Sequence, residues 1–288
     1  MSKNLAARLV VSALGIPIIL WICYRGGGWL FGMVLVFALM ALGEFLFNEG
    51  FRLRQWAFWL SILTLLTSFG WTAAPWILDS PARASSEGTS NLLPGIFPLL
   101  VFFVVTAMAF SLGKQPPADI FRRHTRLFWG VAYVTMLYPF VFRLGMGFDR
   151  FHGGDCLLFL FALLWVGDTA AMGIGKWLGR HKLAPAVSPN KTIEGFAGGI
   201  VSALAIGVLM YFWKFQVLSL GHVLIVAAGC SLFGQLGDLV ESMWKRSLKI
   251  KDSSSVIPGH GGVLDRFDSL LFAAPFMYCY FMLFVVPG

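Results

Sequence analysis

Apolar stretches without charge, each close to the roughly 20 residues a helix needs to cross a bilayer, recur from one end of this chain to the other. Nine of them stand out: Leu9 to Tyr24, Gly26 to Leu46 (interrupted only by Glu44), Trp56 to Leu78, Asn91 to Leu112, Leu127 to Phe142, Cys156 to Gly175 (containing Asp168), Gly195 to Trp213, Phe215 to Gly237, and Ser269 to Pro287. The first and fifth are the shortest. The expected fold class is an all-α polytopic integral membrane protein of about nine transmembrane helices. It is read as a single membrane domain over 1–288, with N-terminal spans in 1–150 and a half carrying the polar motifs in 151–288.

Composition points the same way. Hydrophobic residues make up 58% and charged residues only 12% of the 288, against roughly 45–50% and about 25% in soluble domains. A net charge of +8 raises the question of nucleic acid. The basic residues, however, lie in short runs between apolar segments, where anionic lipid or substrate phosphate is the better partner, so no nucleic-acid role is expected. Cys23, Cys156, Cys230 and Cys279 sit singly in apolar stretches with no CxxC pair, and are expected to be structural. The start, Lys3 to Arg8 and then an apolar run, resembles a signal peptide but lacks an A-x-A cleavage pattern, so a retained first helix is expected.

Nine spans make a testable charge pattern, because Lys and Arg in connecting loops favour the cytoplasm. The N-terminus and the even-numbered loops hold 17 of the 22 basic residues, and the opposite side only Arg25, Arg83, Arg143, Arg150 and Lys214. That places the N-terminus in the cytoplasm and the C-terminus outside. The loop from Asp79 to Ser90, rich in Ser, Pro, Ala and Gly, reads as an exposed external connection. The loops from Lys176 to Glu194 and from Asp238 to Asp268 are cytoplasmic and crowded with charge, so any chemistry is expected there.

The segment Glu241 to Asp268 reads ESMWKRSLKIKDSSSVIPGHGGVLDRFD. Its four leading cations, its Gly-His-Gly-Gly turn and its two closing aspartates suit phosphate and metal. Asp265 and Asp268 are three apart and share a helix face at the mouth of the ninth span. Asp238 and Glu241 repeat that spacing at the end of the eighth, with Lys245 further along the same face. Oxygen ligands of this kind suit Mg²⁺, which takes one or two carboxylates plus substrate phosphates. The plainer reading is that such residues are solvated flanks or internal ion pairs. Against it, a carboxylate at the edge of a span is costly and is by default a functional candidate.

The segment Asp168 to Gly195 supplies a second set. Asp168 lies near the cytoplasmic end of the sixth span, and Ser188-Pro189-Asn190-Lys191-Thr192 makes a polar turn before the seventh. Hydroxyls, a lysine and free N–H groups at a helix start can cradle phosphate oxygens, though Ser188 and Thr192 can equally serve as helix caps. This is no Walker A loop, since Lys176 is not followed by Ser or Thr. His260, between two glycines, is a general base, a phosphate ligand or a turn residue. Glu44 pairs with a basic residue or lines a polar cavity. His124, His152, His181 and His222 show no companion spacing and read as surface or interfacial.

The polar pattern Ser242, Lys245, Arg246, Lys251, Asp252, His260, Gly261, Gly262, Asp265, Arg266 and Asp268 resembles the signature of phosphatidate cytidylyltransferases, also called CDP-diacylglycerol synthases. Asp168-Thr169, Ser188-Pro189 and Lys191-Thr192-x-Glu194-Gly195 resemble that family's second motif. The resemblance covers the C-terminal half, and the rest only as a hydropathy profile. Trp244, Asn190 and Met172 depart from the family's usual residues, and none of them is a charged ligand candidate.

This resemblance implies transfer of a cytidylyl group from CTP to phosphatidate in phospholipid biosynthesis, with one or two Mg²⁺ ions, pyrophosphate as leaving group and a possible homodimer. It implies a bacterial inner (cell) membrane with the active site facing the cytoplasm. The expected catalytic residues are Asp238, Asp265, Asp268 and Lys245, with Asp238 and Asp265 holding metal. Asp168, Ser188, Lys191, Thr192, Glu194, Arg246, Lys251, His260 and Arg266 are the expected substrate-binding residues. The alternatives are a paralogue acting on another lipid phosphate and a transporter for an anionic solute. A transporter calls for charge at mid-depth, whereas here the charges gather at one face.

Overall fold

In hydrocarbon, every backbone N–H and C=O must find its partner within the protein, and a helix does this within one segment. The computed structural model describes residues 3–77, 96–113, 115–148 and 151–285, and it is helical almost throughout. In chain order the elements are α1 (Lys3–Arg25), α2 (Gly27–Asn48), α3 (Trp56–Ile77), α4 (Ile96–Ser111), α5 (Pro117–Met146), α6 (Gly153–Trp177), β1 (Lys182–Ala184), β2 (Ser188–Thr192), α7 (Ile193–Trp213), α8 (Leu220–Ser247) and α9 (Leu264–Phe284). Among the described residues, seven helices are long and apolar enough to cross a membrane, and Ala13–Arg25 and Ile96–Ser111 are shorter apolar ones. The chain is an all-α polytopic membrane protein.

Two differences from the sequence reading concern length. The fifth span, expected to be short, lies inside the 30-residue α5, whose first turns carry Asp119, Arg122, Arg123 and Arg126 and so escaped a search for uncharged stretches. The eighth, expected to end at Gly237, continues as helix to Ser247, so much of the expected Asp238 to Asp268 loop is α8. An i,i+4 contact between Glu241 and Lys245 supports that charged extension. The Asp79 to Ser90 loop lies outside the described residues.

The chain packs as two compact units whose boundaries fall inside α2 and α5. The first comprises residues up to Leu30 and those from Phe140 onward. Here α6 packs on α7, α7 on α8, α8 on α9, and α1 on α6. Lipid offers little hydrophobic drive between helices, so close approach through small residues matters. A Cβ on Gly198 would stand 2.5 Å from Ile174 Cδ1, and one on Gly237 would stand 2.5 Å from the Asp268 carbonyl oxygen. Glycine at these positions brings α6 to α7 and α8 to α9. The second unit, Phe31–Pro139, is held by apolar and aromatic packing, with the Phe45 ring over Gly130. Ser68 donates to Thr135 O at 3.3 Å between α3 and α5.

Among the described residues the sheet is one antiparallel hairpin, β1 with β2, pairing Lys182 with Thr192 and Ala184 with Ser188. A two-stranded hairpin is marginal alone. This one is fastened at both ends. Glu194 accepts from the N–H groups of Arg180 (3.1 Å) and His181 (3.2 Å) and meets His181 Nδ1 at 2.6 Å, while Arg246 Nε donates to Val187 O at 3.3 Å.

His124 corrects the surface reading, while His152 and His181 are exposed as expected and His222 is half-buried. His124 is buried and meets Thr106 Oγ1 at 2.8 Å; His152 caps α6, accepting from Gly154 N. His181 pairs with Glu194, and His222 meets Tyr280 OH at 2.8 Å. The partners of His124, His181 and His222 lie on other elements, where spacing cannot show them. All four cysteines are free; Cys23, Cys156 and Cys230 are buried and Cys279 is half-buried.

Candidate active site

Packing of α6, α8 and α9 brings the polar ends of three apolar helices together, and β2 joins them. Asp265 sits in the first turn of α9, where a negative charge meets the positive end of the helix dipole. Its Oδ1 takes the Lys245 ammonium at 2.6 Å. Its Oδ2 accepts from Ser253 N (2.8 Å), Ser253 Oγ (2.9 Å) and Gly262 N (2.8 Å). Asp265 therefore ties the loop after α8 to both helices. The turn in that loop is made by Gly259 and Gly261, at φ +76° and +85°, a region that an L side chain rarely adopts. His260 between them donates its backbone N–H to Ile257 O, which fits the turn role.

Lys245 is itself buried, and it also stands 3.4 Å from Glu241 Oε1. Glu241 is 1% exposed, and neither of its oxygens accepts a hydrogen bond from a protein donor among the described residues. It meets Asp268 carboxyl to carboxyl. With Glu241 buried and Asp268 half-buried, a proton or a cation between them relieves the repulsion of like charges. Asp268 Oδ1 also accepts from Ser269 N at 2.6 Å.

A more open layer lies over this buried one. Lys191 Nζ, from β2, pairs with Asp238 Oδ2 at 2.7 Å, with the two side chains 26% and 36% exposed. Asp238 Oδ1 accepts from Ser242 Oγ at 3.2 Å. Asp168 is exposed on α6 and within electrostatic range of Asp268, Asp238 and Lys191. Asp168, Lys191, Asp238, Asp268, Glu241, Lys245 and Asp265 thus gather five carboxyl groups around two ammonium groups.

The expected residues divide into two groups. Asp168, Lys191, Asp238, Lys245, Asp265 and Asp268 come together. Lys245, expected among the catalytic residues, is held by Glu241 and Asp265. Thr192 caps α7, its Oγ1 accepting from Gly195 N, and Ser188 opens β2. Glu194 is committed to the hairpin, and Arg246 to Val187 O and Ile250 O. The side chains of Lys251 and Arg266 are exposed, with no hydrogen bond or ion pair among the described residues. Sequence reasoning named Glu241 beside Asp238 but gave it no role in the site, and it missed Ser253. For Glu241 the signal was its place four residues before Lys245; for Ser253 there was none.

Among the described residues, no three His, Cys, Asp or Glu side chains stand close enough to enclose a metal ion. The carboxylates nevertheless fit Mg²⁺. Asp265 Oδ1 accepts one donor, leaving a lone pair, and Asp238 Oδ2 holds an ammonium where another cation can sit. Mg²⁺ commonly takes one or two carboxylates and completes its shell with water and phosphate oxygens.

The match to known proteins extends well beyond the motifs. A model of the Cytidylyltransferase family fits residues 6–284. The phosphatidate cytidylyltransferase of Staphylococcus haemolyticus is 34% identical over 276 residues, covering 94% of this chain and 96% of the relative. That of Bacillus subtilis is 35% identical over 220 residues, 73% of this chain and 76% of the relative. That of Staphylococcus aureus strain COL is 46% identical over 151 residues, 51% of this chain and 55% of the relative. A likeness that runs from the first helix to the last, through spans as well as polar motifs, places the chain in the cytidylyltransferase family.

Proposed function

We propose that the chain transfers a cytidylyl group from CTP to phosphatidate, giving CDP-diacylglycerol and pyrophosphate, on the cytoplasmic side of a bacterial inner membrane. The observation that carries this reading is the gathering of five carboxyl groups around two ammonium groups at the joined ends of α6, β2, α8 and α9. Such an array suits a reaction in which several phosphates and a cation must be held at fixed distances.

In the reaction, a phosphatidate oxygen attacks the α-phosphorus of CTP in line, the bond to the β-phosphate oxygen breaks, and pyrophosphate leaves with that electron pair. The attacking oxygen is ionised at neutral pH, so no general base is required, and His260 serves the turn. Catalysis rests on positioning and on neutralising charge. Asp238 and Asp265, with Asp268 in support, would hold Mg²⁺, which would supply charge neutralisation at the phosphates. Lys191, the most accessible ammonium of the array, leaves Asp238 to meet a phosphate oxygen. Lys245 keeps Asp265 oriented from below. Asp168 lines the open end, where the nucleotide enters. Lys251 and Arg266, exposed and without partners among the described residues, add attraction for the triphosphate.

Purified protein in detergent, given labelled CTP, Mg²⁺ and a panel of lipid phosphates, tests the acceptor. Phosphatidate is expected to take the label in preference to the other lipids. Strong labelling of a different lipid phosphate, with none of phosphatidate, would establish the paralogue reading instead. CTP is expected to outcompete UTP strongly, because each buried polar group left unpaired against the wrong base costs about 1–3 kcal/mol.

A further inference from the structure

The second unit carries a cluster of guanidinium groups that the transfer chemistry leaves unused. The connection between α2 and α3 is tight: Gly50 takes φ +82°, and Phe51 N–H returns to Leu46 O at 2.8 Å. Three arginines close on it. Arg52 Nη1 donates to Phe47 O (2.7 Å) and Phe51 O (3.3 Å). Arg123, from α5, lies with its guanidinium carbon 5.0 Å from the centre of the Phe51 ring. Arg126 places Nη1 3.7 Å from Glu49 Oε2. Arg54 and Arg122 are exposed and make no hydrogen bond or ion pair through their side chains among the described residues. The nearby acids are the buried Glu44, Glu49 beside Arg126, and the exposed Asp119, so these five arginines outnumber them.

Residue type and setting point to one occupant. Every cation in this cluster is arginine, whose planar fork grips a phosphate through two parallel hydrogen bonds where lysine offers a point charge. Leu53, Trp56, Trp59 and Phe121 are exposed on the same turn and helix starts, and Trp59 Nε1 is fixed by donating to Leu53 O at 2.7 Å. Exposed tryptophan beside a membrane helix sits at headgroup depth. Clustered arginines at that depth attract anionic lipid.

We propose that Arg52, Arg123 and Arg126 form a binding site for the phosphate headgroup of an anionic phospholipid. Arg54 and Arg122 extend its attraction, and the exposed aromatic rings lie against the glycerol and upper acyl chains. This site rests on the second unit alone and stands or falls separately from the transfer reaction.

The test places the full chain in nanodiscs of phosphatidylcholine with a minor share of phosphatidate and counts the lipids retained, by native mass spectrometry. The wild type is expected to retain phosphatidate preferentially. The triple variant Arg52→Gln, Arg123→Gln, Arg126→Gln should lose that preference by about fivefold for each arginine removed. The corresponding triple lysine variant keeps the charge and the insertion bias, and should keep only part of the preference. A photoactivatable phosphatidate analogue on the wild type should label residues 46–59 and 117–126, and this arm decides the matter even if a triple variant fails to insert. An unchanged preference in the glutamine variant, or labelling confined to other segments, would refute the site. Displacement of the lipid by excess inorganic phosphate would equally refute it, by showing a free-phosphate site.

Discussion

Substituting asparagine for Asp265 would put an amide where Lys245 Nζ, Ser253 N, Ser253 Oγ and Gly262 N now all donate. Asparagine keeps the shape, removes the charge, and can accept through one oxygen only. Asp265→Asn is therefore expected to lower cytidylyl transfer by at least about a thousandfold, a loss of several kcal/mol of transition-state stabilisation. A variant that is monodisperse in detergent and keeps more than a tenth of wild-type transfer would contradict the role given to this residue. Amide exchange across residues 248–263 should rise in the same protein. The plainer sequence reading left Asp265 as a solvated flank or a member of an internal ion pair, and its observed partner is Lys245, buried on another helix. Lys245→Met leaves Glu241 and Asp265 buried without their cation, and breaking such a pair from one side costs about 3–5 kcal/mol. Thermal unfolding in detergent is expected to drop accordingly, and an unchanged transition would show that the pair is not buried as described. At this scale the sequence was legible where residues share a helix, as Glu241 and Lys245 do. It was silent where partners meet across helices, as with His222 and Tyr280 or Asp168 and Asp268.

Two helix contacts set the positions of the carboxylates. Gly237 precedes Asp238, and its Cβ position is 2.5 Å from the backbone oxygen of Asp268. Gly237→Ala must push α8 and α9 apart at the point where both carry site residues. A misplacement of about 1 Å can cost 100-fold in rate, so transfer should fall by about that factor. Gly173→Ala is the control: nothing lies within 4 Å of its Cβ position on α6. It should leave transfer unchanged and gain up to about 1 kcal/mol of helix propensity. Equal loss in both variants would show that glycine flexibility, rather than close approach, is what matters. Each expected span falls on a described helix, because apolar length is a local property of the chain. Helix ends were less legible, as α5 and α8 show, since charged turns persist where other elements hold their side chains. The β1–β2 hairpin was read as a polar turn. Its strands are too short and charged to show alternation, and it depends on Glu194 and Arg246, neither of which belongs to a strand.

For the whole molecule, the nine expected spans, with 17 of the 22 basic residues on one side, predict a cytoplasmic N-terminus and an external C-terminus. Reporter fusions at both ends check this, and a cytoplasmic signal from a fusion after Gly288 would mean that one of the shorter apolar helices does not cross. The charge bias was legible because it is summed along the chain; the division into two units, cutting through α2 and α5, depends on packing that hydropathy does not record. The bond that forms in the reaction is read from the fate of a label. With purified protein, Mg²⁺ and phosphatidate, CTP labelled at the α-phosphorus should pass its label into the lipid fraction. CTP labelled at the γ-phosphorus should release its label as pyrophosphate, with one pyrophosphate formed per CDP-diacylglycerol. Label from the γ-position in lipid, or α-label that stays in free nucleotide while phosphatidate is unchanged, would contradict the account.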